Sequence, residues 1–174
     1  MPADDLQPLP GAVLFACNLN RVRSPMAEAL LKRLVGDRIY VDSCGLRRPS
    51  AGDDDRRDED VLVGVDPFVE AVLAEVGCEL TAHRPKTFAD LEDTSFDLVI
   101  SLTPEAQQGA VELARGRAAD LEYWPTLDPT LVDGSREARL AAYREVRDAL
   151  AQRIAERFSR PGPSPIDLRP PGAL

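Results

Sequence analysis

Short apolar runs alternate with amphipathic stretches along this chain. Ala12-Val13-Leu14-Phe15-Ala16 is apolar throughout, which predicts a strand buried on both faces. Residues 25–35 follow a helical period, with Met26, Leu30, Leu31 and Leu34 turned inward and Gly36 as the stop. A second short strand is predicted over Arg38–Asp42. The stretch PFVEAVLAEVG, residues 67–77, reads as a helix opened by Pro67 and closed by Gly77, with Phe68, Val72, Leu73 and Val76 on its apolar face. FDLVIS, residues 96–101, is a third buried strand. Thr103-Pro104-Glu105 starts a helix running to about Ala114, and Leu121–Trp124 is a fourth strand. Residues 135–158 carry Leu140, Tyr143, Val146, Leu150 and Ile154 on one helical stripe. Strands alternating with helices predict an α/β fold: a single domain over residues 11–158, with a parallel sheet and helices on both faces. Residues 1–10 read as a flexible lead-in and the Pro-rich residues 159–174 as a disordered tail. Within residues 46–66, the charge run GDDDRRDED reads as a solvated loop.

Composition narrows the functional classes. The chain has 174 residues, 44% of them hydrophobic, enough for one domain with a proper core. Its net charge is −9, which argues against nucleic acid or an acidic membrane as partner. Three cysteines without a pairing pattern point to a reducing compartment. The acidic, Pro-rich start is not a signal peptide, and no run approaches the ~18 apolar residues of a membrane span. The expectation is a soluble cytoplasmic protein. The cysteines lack zinc-ligand spacing, and no Walker loop or dinucleotide fingerprint is present, so no metal or cofactor is expected.

The chemistry is concentrated in Cys17 to Pro25, CNLNRVRSP, between the first strand and the first helix. Ser24 stands where an N-cap belongs, and Pro25 falls in the first turn, where its missing N–H costs nothing. The helix presents its positive end and free N–H groups to the loop before it. A turn wrapped ahead of such an end aims successive N–H groups at one point, so Asn18, Leu19, Asn20, Arg21, Val22, Arg23 and Ser24 are expected to cradle an anion. Arg23 adds a planar fork matched to two phosphate oxygens. Cys17 lies on the floor of the same positive field, placed as a thiolate for in-line attack on phosphorus. In parallel α/β sheets ligands sit beyond the carboxyl ends of the strands. Cys17, Ser43, Ser101 and the loop after Trp124 should therefore share one rim. That loop carries Asp128, the candidate general acid, stiffened by Pro129, with Asp133 as the neighbouring alternative.

C-x5-R-S-P-M-A-E-A directly after the first strand resembles the low-molecular-weight protein tyrosine phosphatases and their arsenate-reductase relatives, and the resemblance extends to about residue 158. It implies a four-stranded sheet of order 2-1-3-4 and a cysteinyl-phosphate mechanism acting on phosphomonoesters, protein phosphotyrosine among them. Cys17, Arg23 and Asp128 are then catalytic. Asn20, Ser43 and His83 match positions that hold the phosphate loop in shape, and Ser24 donates to the sulfur. The implied partners are a phosphorylated protein or small molecule and inorganic phosphate or other oxyanions.

The chain departs from the family loop C-x-G-N-I-C-R-S by carrying Leu19, Arg21 and Val22. Thr130 stands where the family's Asp-Pro-Tyr has its aromatic residue. Both Arg21 and Thr130 weaken a slot for a flat phenyl ring, and Arg21 offers a second anion contact. Two other functions compete. Arsenate reduction would need resolving cysteines near the rim: Cys44 follows the second strand, whereas Cys78 ends a helix and reads as core. A non-catalytic anion-binding module would not need Asp128.

Overall fold

The computed structural model describes residues 9–49, 64–80 and 82–159. The expected lead-in, the tail and the charge run GDDDRRDED fall wholly or almost wholly outside the described residues.

A four-stranded parallel sheet forms the centre, built from β1 (Ala12–Cys17), β2 (Tyr40–Gly45), β3 (Leu98–Ser101) and β4 (Asp120–Tyr123) in the order β2-β1-β3-β4. The expected order and parallel sense are those found. β1 is flanked on both sides, with Ala16 opposite both Cys44 and Ser101. Its side chains alternate between two cores. Val13, Phe15 and Cys17 join one core with residues of α1 (Arg23–Val35), α2 (Pro67–Ala74) and α4 (Arg136–Phe158). Leu14 and Ala16 join the other with Ala106 and Ala110 of α3 (Pro104–Ala114). A strand buried on both faces has no use for polar side chains, which is why β1 reads as an unbroken apolar run.

Several boundaries differ from the sequence reading. Residues 36–38 form a 3-10 turn, so β2 begins later and runs through Ser43, Cys44 and Gly45. The second helix stops at Ala74, and Gly77 takes φ +72 after it. Leu34 is 38% exposed, and Val35 fills the inward position instead. The helical period drifts from a strict 3-4 repeat over three turns, and that carries Leu34 off the buried face. The stripe Leu140, Tyr143, Val146, Leu150 and Ile154 is buried as expected, and Ser135 caps α4 through its bond from Ala138 N–H. None of the described helices is long and apolar enough to cross a membrane.

Candidate active site

The loop Cys17–Val22 leaves the carboxyl end of β1 and feeds α1. The helix starts two residues earlier than expected: its N-cap is Val22, with no side-chain capping bond. Ser24 is therefore not the N-cap. It lies inside the first turn, fully buried, because its hydroxyl is engaged elsewhere. Ser24 Oγ is 2.9 Å from Cys17 Sγ, accepts from Asn20 Nδ2 at 2.9 Å, and lies 3.3 Å from the Cys44 carbonyl. An ionised sulfur can only accept, so within this pair the hydroxyl would be the donor to a thiolate.

Asn20 sets the loop's shape. It takes φ +58, a left-handed conformation that asparagine tolerates better than most residues, and it is fully buried. Its Nδ2 donates to Ser24 Oγ and Ser43 Oγ, both at 2.9 Å, and its Oδ1 accepts from Lys86 N–H. Ser43 in turn donates to the buried Glu28 carboxylate at 2.6 Å, and Lys32 closes the chain on Glu28 at 2.7 Å. His83 Nε2 lies 3.1 Å from the Asn20 carbonyl oxygen. Thus Asn20, Ser24, Ser43 and His83 meet behind the loop.

The outer edge of the loop is tied as well. Thr103 donates to Asn18 Oδ1 at 2.7 Å while capping α3. The Asn18 carbonyl accepts from the backbone N–H groups of Leu46 and Arg47. Gly45 lies directly beneath: a Cβ there would come within 2.8 Å of the Asn18 carbonyl oxygen and 2.9 Å of the Asn20 nitrogen, so only glycine lets the loop pass.

Cys17, Asn18, Leu19, Arg21, Val22 and Arg23 line a cleft of about 630 Å³ together with Asp66, Asp128, Thr130 and Asp133. The loop after β4 therefore does share a rim with Cys17. Arg23 spans the two sides: Nη1 donates to the Thr126 carbonyl at 3.1 Å, and Nη2 is 3.8 Å from Asp128 Oδ2. Asp133, the alternative acid, also lines the cleft and is exposed, whereas Asp128 meets Arg23. Arg21 is buried, and its Nε donates to the Gly64 carbonyl at 3.4 Å, so part of its guanidinium is engaged just ahead of α2.

Sequence reasoning missed Asp66 and Tyr143, which also line the cleft. Asp66 caps α2 by accepting from Phe68 N–H, accepts from the Tyr143 hydroxyl at 2.8 Å, and donates its own N–H to the Arg21 carbonyl. One residue thus fastens α2, α4 and the phosphate loop together. Burial and the Asp66 carboxylate push the Tyr143 phenol far above its ordinary range, so it stays a donor. An Asp-Pro pair ahead of an apolar helix was the available signal for the cap. Glu28, Thr103 and Lys86 were missed too. Nothing local announces contacts made to residues 15 to 85 positions away.

The other two cysteines stand apart. Cys44 is fully buried in the α3-side core, on the sheet face opposite Cys17, and burial, with Cys17 and Asp42 nearby, raises its thiol well beyond the normal range. Cys78 is buried in the core on the other face, and burial likewise raises it. All three cysteines are free thiols. Among the described residues no group of three or more His, Cys, Asp or Glu side chains is placed to hold a metal ion.

A parallel α/β domain with a Cys-x5-Arg-Ser loop at the carboxyl end of its central strand is the class that fold and site define together. Its lineage is narrower than that. The chain belongs to the low molecular weight phosphotyrosine protein phosphatase family, whose model matches residues 12–159. It is 31% identical over 129 residues to a low molecular weight protein-tyrosine-phosphatase of Streptomyces coelicolor, covering 70% of this chain and 72% of that one. It is also 28% identical over 142 residues to an arsenate reductase of Halalkalibacterium halodurans, covering 82% of this chain and 91% of the other. Further curated relatives carry the name arsenate reductase. Among solved structures, an arsenate reductase in its phosphate-binding state is 26% identical with a TM-score of 0.60, over 83% of this chain and 94% of that chain.

Proposed function

We propose that this protein is a phosphomonoesterase working through a cysteinyl-phosphate intermediate. The observation that carries the reading is one cleft shared by Cys17, Arg23 and Asp128, with a buried serine hydroxyl 2.9 Å from the sulfur. Cys17 Sγ attacks phosphorus in line, and the bond from phosphorus to the ester oxygen breaks. Asp128 gives its proton to the departing oxygen. It then takes a proton from water, whose oxygen displaces the sulfur and releases inorganic phosphate. Arg23 and the N–H groups at the start of α1 hold the three equatorial oxygens throughout. A solved arsenate reductase in its phosphate-binding state, 26% identical to this chain, supports oxyanion binding.

Neither Arg21 nor Thr130 supplies an aromatic wall for a flat ring. Leu19, Val22 and Leu131 line the cleft beside them, and Tyr143, the aromatic residue that does line it, gives its hydroxyl to Asp66. Phosphotyrosine remains the family's substrate and is the first to be tried. We place the enzyme in the cytoplasm, where free thiols stay reduced.

A second reading, arsenate reduction, is favoured by the names of the curated relatives. A relay within the chain would need a second thiol at the rim, and both Cys44 and Cys78 are buried, Cys44 on the opposite sheet face. Reduction would therefore have to draw its second thiol from another molecule. Two assays separate the readings. Release of phosphate from a phosphotyrosine peptide or 4-nitrophenyl phosphate, abolished in Cys17→Ser, supports the phosphatase. Arsenate-dependent thiol oxidation with thioredoxin, glutaredoxin or glutathione, without phosphate release, supports the reductase.

A further inference from the structure

Asp128 does not meet its surroundings evenly. Its Oδ1 accepts two hydrogen bonds from one residue: the Thr130 N–H at 3.0 Å and the Thr130 hydroxyl at 2.6 Å. Its Oδ2 makes neither of these bonds and faces the Arg23 guanidinium, 3.8 Å from Nη2, on the side of the phosphate loop. Asp128 and Thr130 line the same cleft as Cys17. The backbone bond alone is an ordinary Asx turn that any residue at position 130 except proline would make. The hydroxyl bond is the addition made by this side chain.

A carboxylic acid carries its proton on one oxygen. An oxygen already accepting from two donors is the poorer place for it, because a proton there would lose or strain both bonds. We propose that Thr130 is a positioning residue for the general acid: its hydroxyl holds Oδ1 away from the reaction, so that the catalytic proton resides on Oδ2, the oxygen turned toward Arg23. The step it serves is the one already described, in which the bond from phosphorus to the ester oxygen breaks and the Oδ2 proton passes to that oxygen. Arg23 holds the loop from the other side through the Thr126 carbonyl. The carboxyl is thereby fixed between an anchor on Oδ1 and a charged neighbour of Oδ2.

This rests on the phosphatase reading, and the test separates the two. Compare kcat/KM for phenyl phosphate, whose leaving group needs protonation, with that for 4-nitrophenyl phosphate, whose leaving group departs almost without it. Three variants are used: Asp128→Asn, Thr130→Val and Thr130→Ser. Thr130 is exposed, so its replacement leaves the fold intact. In Thr130→Val the 4-nitrophenyl to phenyl ratio is expected to rise about tenfold, a fraction of what an acid contributes. Thr130→Ser, which keeps the hydroxyl, should restore the wild-type ratio. A Thr130→Val ratio equal to wild type, while Asp128→Asn raises it strongly, overturns the role of Thr130 and leaves the acid standing. A loss in Thr130→Val that is the same for both substrates, or that serine does not rescue, marks a merely structural contact and also overturns it. An unchanged ratio in Asp128→Asn removes the acid itself, and the proposal with it.

Discussion

The two loops that meet over Cys17 are built on opposite principles. The phosphate loop is largely buried and stitched to distant parts of the chain: the Ser43 and His83 side chains and the Lys86 backbone N–H to Asn20, and the Thr103 side chain to Asn18. The acid loop, Thr126 to Val132, is partly exposed and held mostly by neighbours two or three positions away, with Leu102 and Arg23 as distant ties at Thr126. Leu127 and Leu131 stand 82% and 78% exposed on it. Removing a buried hydrogen-bonding group from the first loop must therefore disturb folding and chemistry together, because each bond lost there leaves a buried partner unpaired. A change in the second can reach the chemistry while the fold stays as it was.

The largest effect expected is at the nucleophile. Cys17→Ser should lower phosphate-ester turnover by about 10⁴-fold or more, as losses of a nucleophile do, while phosphate still binds. Steady-state kinetics and calorimetric titration with phosphate check both halves. Next comes the exposed side of the contrast. Asp128→Asn should cost roughly 100- to 1,000-fold in turnover, with stability changed by no more than about 0.5 kcal/mol. A large fall in melting temperature would show that the acid loop, too, is part of the frame.

Asn20→Ala tests the other side. It removes the donors to two serines and the acceptor for Lys86 N–H, and it puts alanine at φ +58. The expected cost is about 2–4 kcal/mol of stability, seen as a lower denaturant midpoint, with activity falling alongside it. Full stability with lost activity would mean that the amide tunes chemistry rather than shape.

The smallest effect lies far from both loops. Hydrogen bonds from Arg144 and Arg147 hold the Glu75 carboxyl down at about 2, against an ordinary 4.5. Its contribution is therefore complete above pH 4.5 and fades as pH falls toward 2. Glu75→Gln should melt slightly below wild type at neutral pH, and the gap should close across that interval. Melting curves at several pH values check it, and a gap that persists at the acid end would show that packing, not charge, links α2 to α4.

The central strand, the helices and the Cys17–Arg23 spacing were legible in the linear chain. Their signals are local: apolar runs, capping residues, and a strand–loop–helix order that forces parallel pairing. Asp128 was legible for the same reason, since strand ends in such a sheet share a rim. The tasks of Glu28, Thr103 and Asp66 were not. Ser24 has every mark of an N-cap, and the folded chain removes that role while keeping the contact with the sulfur that the family resemblance implied. The need for glycine at position 45 shows only once the phosphate loop is seen lying across it. Hydrophobic pattern and capping act within a few residues, so the sequence carries them openly. Hydrogen-bond partners for buried polar groups are chosen among whatever the packed elements bring near. That choice exists only once the sheet has closed and water has left.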